Sequence, residues 1–241
     1  MADGALVLGG GAAILLQIAD PVVAAGVDRH SDFAHRPQQR LVHTLMYVYA
    51  VVLGDAVDSA RAAAFVERAH QPVVGANDED RQLWVAATLY FAALRVQGAI
   101  FGSIDRETAA VALGRYAPLG TALHLPASRW PSSPAEFEAY WEHALARLTV
   151  TEEARRVARD LLFPRFAPAW IRAVMPMVRV ITVGLLPDSV RTAYGFAWGA
   201  REARRFNRLV RCVSIVVQAV PGPVRRLPSR FLLRRLRRPL H

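Results

Sequence analysis

Helix-start signals recur along this chain while strand-type alternation is nearly absent, and that contrast limits the fold more than any other feature. Asn77-Asp78 precedes a predicted helix over about Glu79 to Gly98, and Asp105 precedes another with Glu107 in its first turn. Ser133-Pro134-Ala135-Glu136 and Thr151-Glu152-Glu153 are capped starts of the same kind. Between these stretches lie short Pro- and Gly-containing breaks, at Pro72, near Pro118, over Leu123 to Pro134, and at Pro164 and Pro168. With 241 residues, 53% of them hydrophobic and only 21% charged, the chain has apolar surface for one large core. The expectation is an all-α, single-domain protein.

Two apolar segments imitate membrane spans. Leu6 to Val27 is interrupted by Gly9 to Gly11, Asp20 and Pro21, so the roughly 20 uninterrupted apolar residues of a span are missing, and one buried amphipathic helix is expected. Asp3 and the lack of a basic residue at the start argue against a signal peptide. Ala169 to Leu186 carries Arg172 and Arg179, each costing about 2.5–3.5 kcal/mol at mid-membrane. It reads instead as a buried core helix, kinked at Pro176. A lone Cys212 excludes an internal disulfide framework and the Cys-x-x-Cys-His attachment of haem, and points to the reducing cytoplasm.

The stretch Arg40 to Gly75 stands apart from this background. In its first predicted helix Arg40, His43, Thr44 and Tyr47 recur at helical spacing on one face, with Leu41, Leu45, Val48 and Val52 as apolar neighbours. A second helix, about Val57 to Ala69, ends at His70 and is stopped by Pro72. A neutral imidazole there suits a metal such as haem iron, and Gly75 permits a flat group to approach the backbone. Spacing alone favours the plainer reading, a hydrogen-bonded core histidine.

The ordered series RLVHT, HQPVVG and LWVAATL resembles the oxygenase family that contains latex-clearing proteins (rubber oxygenases) and the endoplasmic-reticulum oxygenase of mycophenolic acid biosynthesis. The likeness begins at Gly9 to Gly11 and LLQIADPVVAAGVDRHSDF, continues through LHLPASRWPSSPAEFEAYW and closes near LLPDSVRTAYGFAW. It implies a globin-like helical bundle around a non-covalent haem b. His70 is then the proximal iron ligand, Arg40, His43 and Thr44 are the catalytic face, and Gly75 and Trp84 are cofactor neighbours along with Arg40 and Thr44. His43 occupies the place of a lysine in the latex-cleaving members, so a second iron ligand is implied there. The segment after His70 is shortened relative to the family, and Trp84-Val85-Ala86 replaces the usual Trp-Val-His. The resemblance further implies a hydrophobic, isoprenoid or lipid-like unsaturated substrate, O2 as co-substrate and oxidative cleavage of a C=C bond.

Charge is unevenly distributed. Every basic side chain is arginine, and from Arg201 onward 12 arginines face a single acid, Glu202, so the net charge of +10 belongs to the C-terminal part. The division expected is a helical haem-binding domain over 1–200 and an Arg-rich helix and tail over 201–241. Arg201 to Val220 reads as a helix with arginines on one face and Leu209, Val213, Val216 and Val217 on another. Val224 to His241 reads as a basic amphipathic segment suited to an anionic membrane surface or a partner protein, with a solvated tail as the equal alternative. Nucleic acid is not expected, since no recognition motif accompanies the charge. Nucleotide, dinucleotide, serine-hydrolase and zincin motifs are absent. The competing reading is a haem-free helical protein that docks on a membrane or partner through its Arg-rich end.

Overall fold

The structure is a computed structural model. It describes residues 5–30, 37–71, 75, 77–165 and 167–237, with the backbone alone at 28–30 and 37–41. Among the described residues there is no strand, and the fold is all-α. A 3-10 turn, Ala5–Gly9, leads into α1 (Gly10–Gln17), α2 (Pro21–His30), α3 (Pro37–Leu53), α4 (Ala56–His70), α5 (Glu79–Phe101), α6 (Arg106–Tyr116), α7 (Pro118–Thr121) and α8 (Pro134–Ala146). There follow α9 (Glu152–Leu162), α10 (Ala169–Leu185), α11 (Asp188–Tyr194), α12 (Ala200–Ala219), α13 (Gly222–Arg225) and α14 (Leu227–Arg237).

The capped starts read from the sequence are present. The side chains of Asp78, Asp105, Ser133 and Thr151 each accept the backbone N–H three residues on, at Arg81, Thr108, Glu136 and Ala154. Each thereby satisfies one of the amide donors that a helix start leaves unpaired.

The fold centres on α5. Leu83, Trp84, Ala87, Tyr90 and Val96 are buried along its length, and α1, α7, α10 and α12 all pack on it. By length and composition α5 is the one described single helix apolar enough to cross a bilayer, and more than half of that stretch is buried inside the protein. The N-terminal apolar run is two helices and not one: the chain turns through 110° between Gln17 and Pro21, where the Asp20 side chain accepts the N–H groups of Val22 and Val23. Pro21, with no N–H to lose, opens α2 there. α2 continues to His30 and α3 begins at Pro37.

Buried aromatic heads are tied to main-chain carbonyls. Tyr194 Oη donates to the Leu15 carbonyl at 2.7 Å, Tyr47 Oη to Leu119 at 2.7 Å and Trp130 Nε1 to Leu113 at 3.1 Å. Each of these carbonyls lies in the last turn of its helix, and that of Leu113 accepts the Ala117 N–H as well. Tyr47, expected on the polar stripe of α3, is therefore occupied as a strut between α3 and α7.

The expectation for Ala169 to Leu186 is half wrong. Only Ile181, Thr182, Gly184 and Leu185 of α10 are buried, while Trp170, Val174 and Met177 are exposed. At the buried end a Cβ on Gly184 would run into the ring of Phe206 in α12, so the absent side chain lets the two helices close. The reading of α12 needs a parallel correction: Val216 is 63% exposed and lies on the arginine side, not opposite it. Hydropathy gives a helix an apolar face but not the presence of a neighbour to cover it.

The Arg-rich end is folded, at least to Arg237. α14 packs across α3 and α4 with Leu232 and Leu236 buried, leaving Phe231 outward.

Candidate functional site

The sequence candidates gather on the α3–α4 hairpin. At its closed end, Gly54 sits where a Cβ would strike the Ala50 carbonyl and the Asp58 side chain, so the turn requires glycine. Asp55 and Asp58 form a reciprocal capping box that starts α4, with Asp55 Oδ1 accepting the Asp58 N–H at 2.8 Å. Running the other way along the hairpin, His43 on α3 meets Phe65 on α4 edge to face, ring centroids 4.9 Å apart. His70 lies five residues past Phe65, about 7–8 Å further along the axis at 1.5 Å per residue. The backbone of Arg40 lies one turn beyond His43 in the same direction. The hairpin's open end thus carries Arg40, His43, Thr44 and His70. The Arg40 side chain lies outside the described residues, as do Ser31 and His35 and the side chain of His30.

His43 is half-buried. Burial first, and then the positive charge of Arg235 on α14, hold its imidazole below the ordinary histidine range, so it is neutral at pH 7. Thr44 is half-buried beside it and His70 is half-buried at the end of α4. A neutral imidazole is the form that binds a metal.

Gly75 adopts φ +80°, in the left-handed region that glycine favours, and a Cβ there would come within 3.4 Å of Val22 on α2 and 3.3 Å of Arg81 Nη1 on α5. It marks the place where the chain leaves the hairpin and passes α2 to reach α5. The first turns of α5 hold three polar groups with no partner among the described residues: Arg81 Nε, both amide atoms of Gln82 and Trp84 Nε1. Such orphans are rare in a finished interior and call for an account. Trp84 itself is 5% exposed and stacks on Trp141 with centroids 5.2 Å apart, while Phe91 stacks on the same indole at 4.2 Å.

Phe65, Arg235, Gln82 and Arg81, whose Nη1 pairs with Asp78 at 3.2 Å while its Nε lacks a partner among the described residues, were not singled out by sequence reasoning. Gln82 carried a signal, a polar residue inside an otherwise apolar helical face. Arg235 carried none, since nothing local says that α14 folds back onto α3. The late residues of the family resemblance have structural duties. Arg191 caps the end of α10, with Nη1 donating to the Leu186 carbonyl at 2.7 Å and Nη2 paired with Asp188. Gly195, at φ +73°, ends α11.

No group of three His, Cys, Asp or Glu is placed to hold a bare metal ion among the described residues. One or two imidazoles could ligate only a metal that arrives with most of its own ligands. The hairpin offers one or two imidazoles as such ligands, while the unpartnered Arg81 Nε and Trp84 Nε1 belong to α5, and Gly75 is closed over by Val22 and Arg81.

An all-α protein with its polar candidates at the open end of one hairpin is thus the class that the structure defines. The chain belongs to the family described as ER-bound oxygenase mpaB/B'/Rubber oxygenase, catalytic domain, which matches residues 1–215. It is similar to two mycobacterial proteins, uncharacterized protein Mb2261 of Mycobacterium bovis and uncharacterized protein Rv2237 of Mycobacterium tuberculosis, each 28% identical over 223 residues that cover 86% of this chain and 87% of the relative. No solved structure matches the chain.

Proposed function

We propose that this chain is a haem b-dependent oxygenase acting on a hydrophobic, unsaturated, isoprenoid or lipid-like substrate. The observation that carries this reading is a pair of half-buried imidazoles, His43 on α3 and His70 on α4, toward the open end of a hairpin that lies within the region matched by the oxygenase domain.

His70 is the residue proposed to hold the iron, its other ring nitrogen anchored by a hydrogen bond as is usual for ligating histidines. Bound haem b supplies a redox-active iron at which O2 can be bound and reduced. His43 offers a neutral imidazole from α3, as a second ligand or as a polar neighbour. Thr44 Oγ1 donates a hydrogen bond into the same space. Arg40, which stays protonated at any working pH, pairs with a carboxylate of the cofactor or opposes developing negative charge. The indole of Trp84 and the Arg81 guanidinium offer further donors to the cofactor's carboxylates. Oxidative cleavage of a C=C bond in a substrate without charge is the reaction that the family resemblance implies.

Purified protein is expected to show a Soret band and to take up O2 in the presence of an unsaturated isoprenoid or lipid, tested against a panel of such compounds. Protein that takes up no added haemin overturns the reading and favours a haem-free docking protein.

A further inference from the structure

The apolar residues of α14 divide between two opposite faces. Ser229, Leu232 and Leu236 are buried where the helix crosses α3 and α4. At about 3.6 residues per turn, Leu227, Arg230, Phe231 and Arg234 fall within an arc of roughly 100° on the other side. Leu227 is 55% exposed and Phe231 65%, and both arginines are exposed. Val224 of α13, 49% exposed, extends this row by one turn, because Arg226 between the two helices keeps a right-handed helical backbone, φ −87° and ψ −3°. Val224, Leu227 and Phe231 thus share one helical face with Arg230 and Arg234 beside them. The side opposite a buried stripe is ordinarily polar, so large apolar side chains there mark a contact surface.

We infer that this outer face of α13 and α14 is a docking surface for an anionic lipid bilayer. Val224, Leu227 and Phe231 enter the interfacial layer, and the guanidinium groups of Arg230 and Arg234 reach lipid phosphates. Charge complementarity selects this occupant. From Ala203 to His241 the chain has no acidic residue, and Val224 to Arg237 holds six arginines. A second copy of the chain on this face sets arginine against arginine, whereas anionic headgroups neutralise them. A nucleic-acid backbone would satisfy the arginines but leave Leu227 and Phe231 in water, while a bilayer takes both residue types from one face. Arginine stems lie along the apolar layer with their charged heads at the phosphates, which makes the two compatible. A helix is about 10–12 Å across, so a bilayer on the outer face of α14 stands one helix away from the α3–α4 hairpin. Nothing in this inference depends on haem.

The test is flotation of the full chain with vesicles of phosphatidylcholine alone and of phosphatidylcholine mixed with phosphatidylglycerol. Binding is expected to the mixed vesicles, to fall with added salt and to be weak on the neutral ones. Leu227→Ser with Phe231→Ser is expected to weaken binding at least about tenfold. Arg230→Gln with Arg234→Gln is expected to weaken it on the order of 25-fold, since each arginine near the surface contributes roughly fivefold. All four positions are exposed, and Leu232, Leu236 and Arg237, which fasten α14 to the hairpin, are untouched, so both variants should keep the wild-type circular dichroism and melting curve. Absence of binding to mixed vesicles overturns the inference, as do equal binding to the neutral vesicles and binding that either variant retains in full. A concentration-dependent dimer that Phe231→Ser dissolves also overturns it, by giving the face to a second copy.

Discussion

Arg237, near the C-terminal end of the described chain, closes a two-point ion pair on Asp58, 179 residues earlier: its Nε donates to Oδ1 at 2.8 Å and its Nη2 to Oδ2 at 2.6 Å. Asp58 is 1% exposed, and the same guanidinium reaches Asp55 Oδ2 at 3.4 Å. One arginine thus joins the last helix to the capping box that starts α4. The hydrogen bond from Arg237, followed by that from the Asp55 backbone, outweighs burial and holds the Asp58 carboxyl below its ordinary value of 3.8. Asp58→Asn should lower stability by about 1–3 kcal/mol in urea denaturation. Arg237→Gln should act in the same direction, and the double variant should lose less than the sum of the two. Because the folded carboxyl is the stronger acid, this contribution is fully present above the ordinary carboxylate range and drains as pH falls through it.

His43 titrates with the opposite chemistry but a related sign. Its folded imidazole is held below 6.5, so on acidification the unfolded chain takes the proton first. Stability is complete above that value and declines as pH falls beneath it, until the folded imidazole also protonates. Thermal melts between about pH 7.5 and 5.5 should show a decline that His43→Gln flattens. An unchanged pH profile in the variant would remove the burial and the Arg235 charge as the causes.

Gly184 tests the junction of α10 and α12. Gly184→Ala should cost about 1–3 kcal/mol through its clash with Phe206, and Phe206→Leu in the same chain should recover part of that loss. If Gly184→Ala is neutral, the two helices are not seated as described.

Trp84 separates a packing role from a cofactor role. Trp84→Phe retains a ring against Trp141 but removes the orphaned Nε1. A merely structural Trp84 predicts a modest stability loss and unaltered haem retention. The proposed role predicts several-fold faster transfer of haem to an apo-globin acceptor, about the effect of losing one hydrogen bond to a charged group.

The helical starts were legible because a cap is written in a few adjacent residues: Asp78, Asp105, Ser133 and Thr151 each state their own hydrogen bond. The boundary of α4 at His70 was legible for the same reason, through the break that follows it. What the sequence left hidden is long-range. Arg237 and Asp58 show no sign of each other along the chain, and the same is true of His43 with Arg235. The exposed half of α10 was read as core because its composition is that of core, and only the packed structure shows that Trp170 has nothing over it. Gln82 could have been found as a polar residue in an apolar face, but its lack of a partner is a property of the packed interior.

The most direct measurement is the absorption spectrum of the purified protein reconstituted with haemin, set beside that of His70→Ala prepared in the same way. A Soret band that is strong in the wild type and lost or greatly weakened in His70→Ala, with circular dichroism unchanged, is the predicted result. A wild type that stays colourless, or a variant whose spectrum and haem content equal the wild type's, contradicts the assignment of His70 and with it the proposed oxygenase.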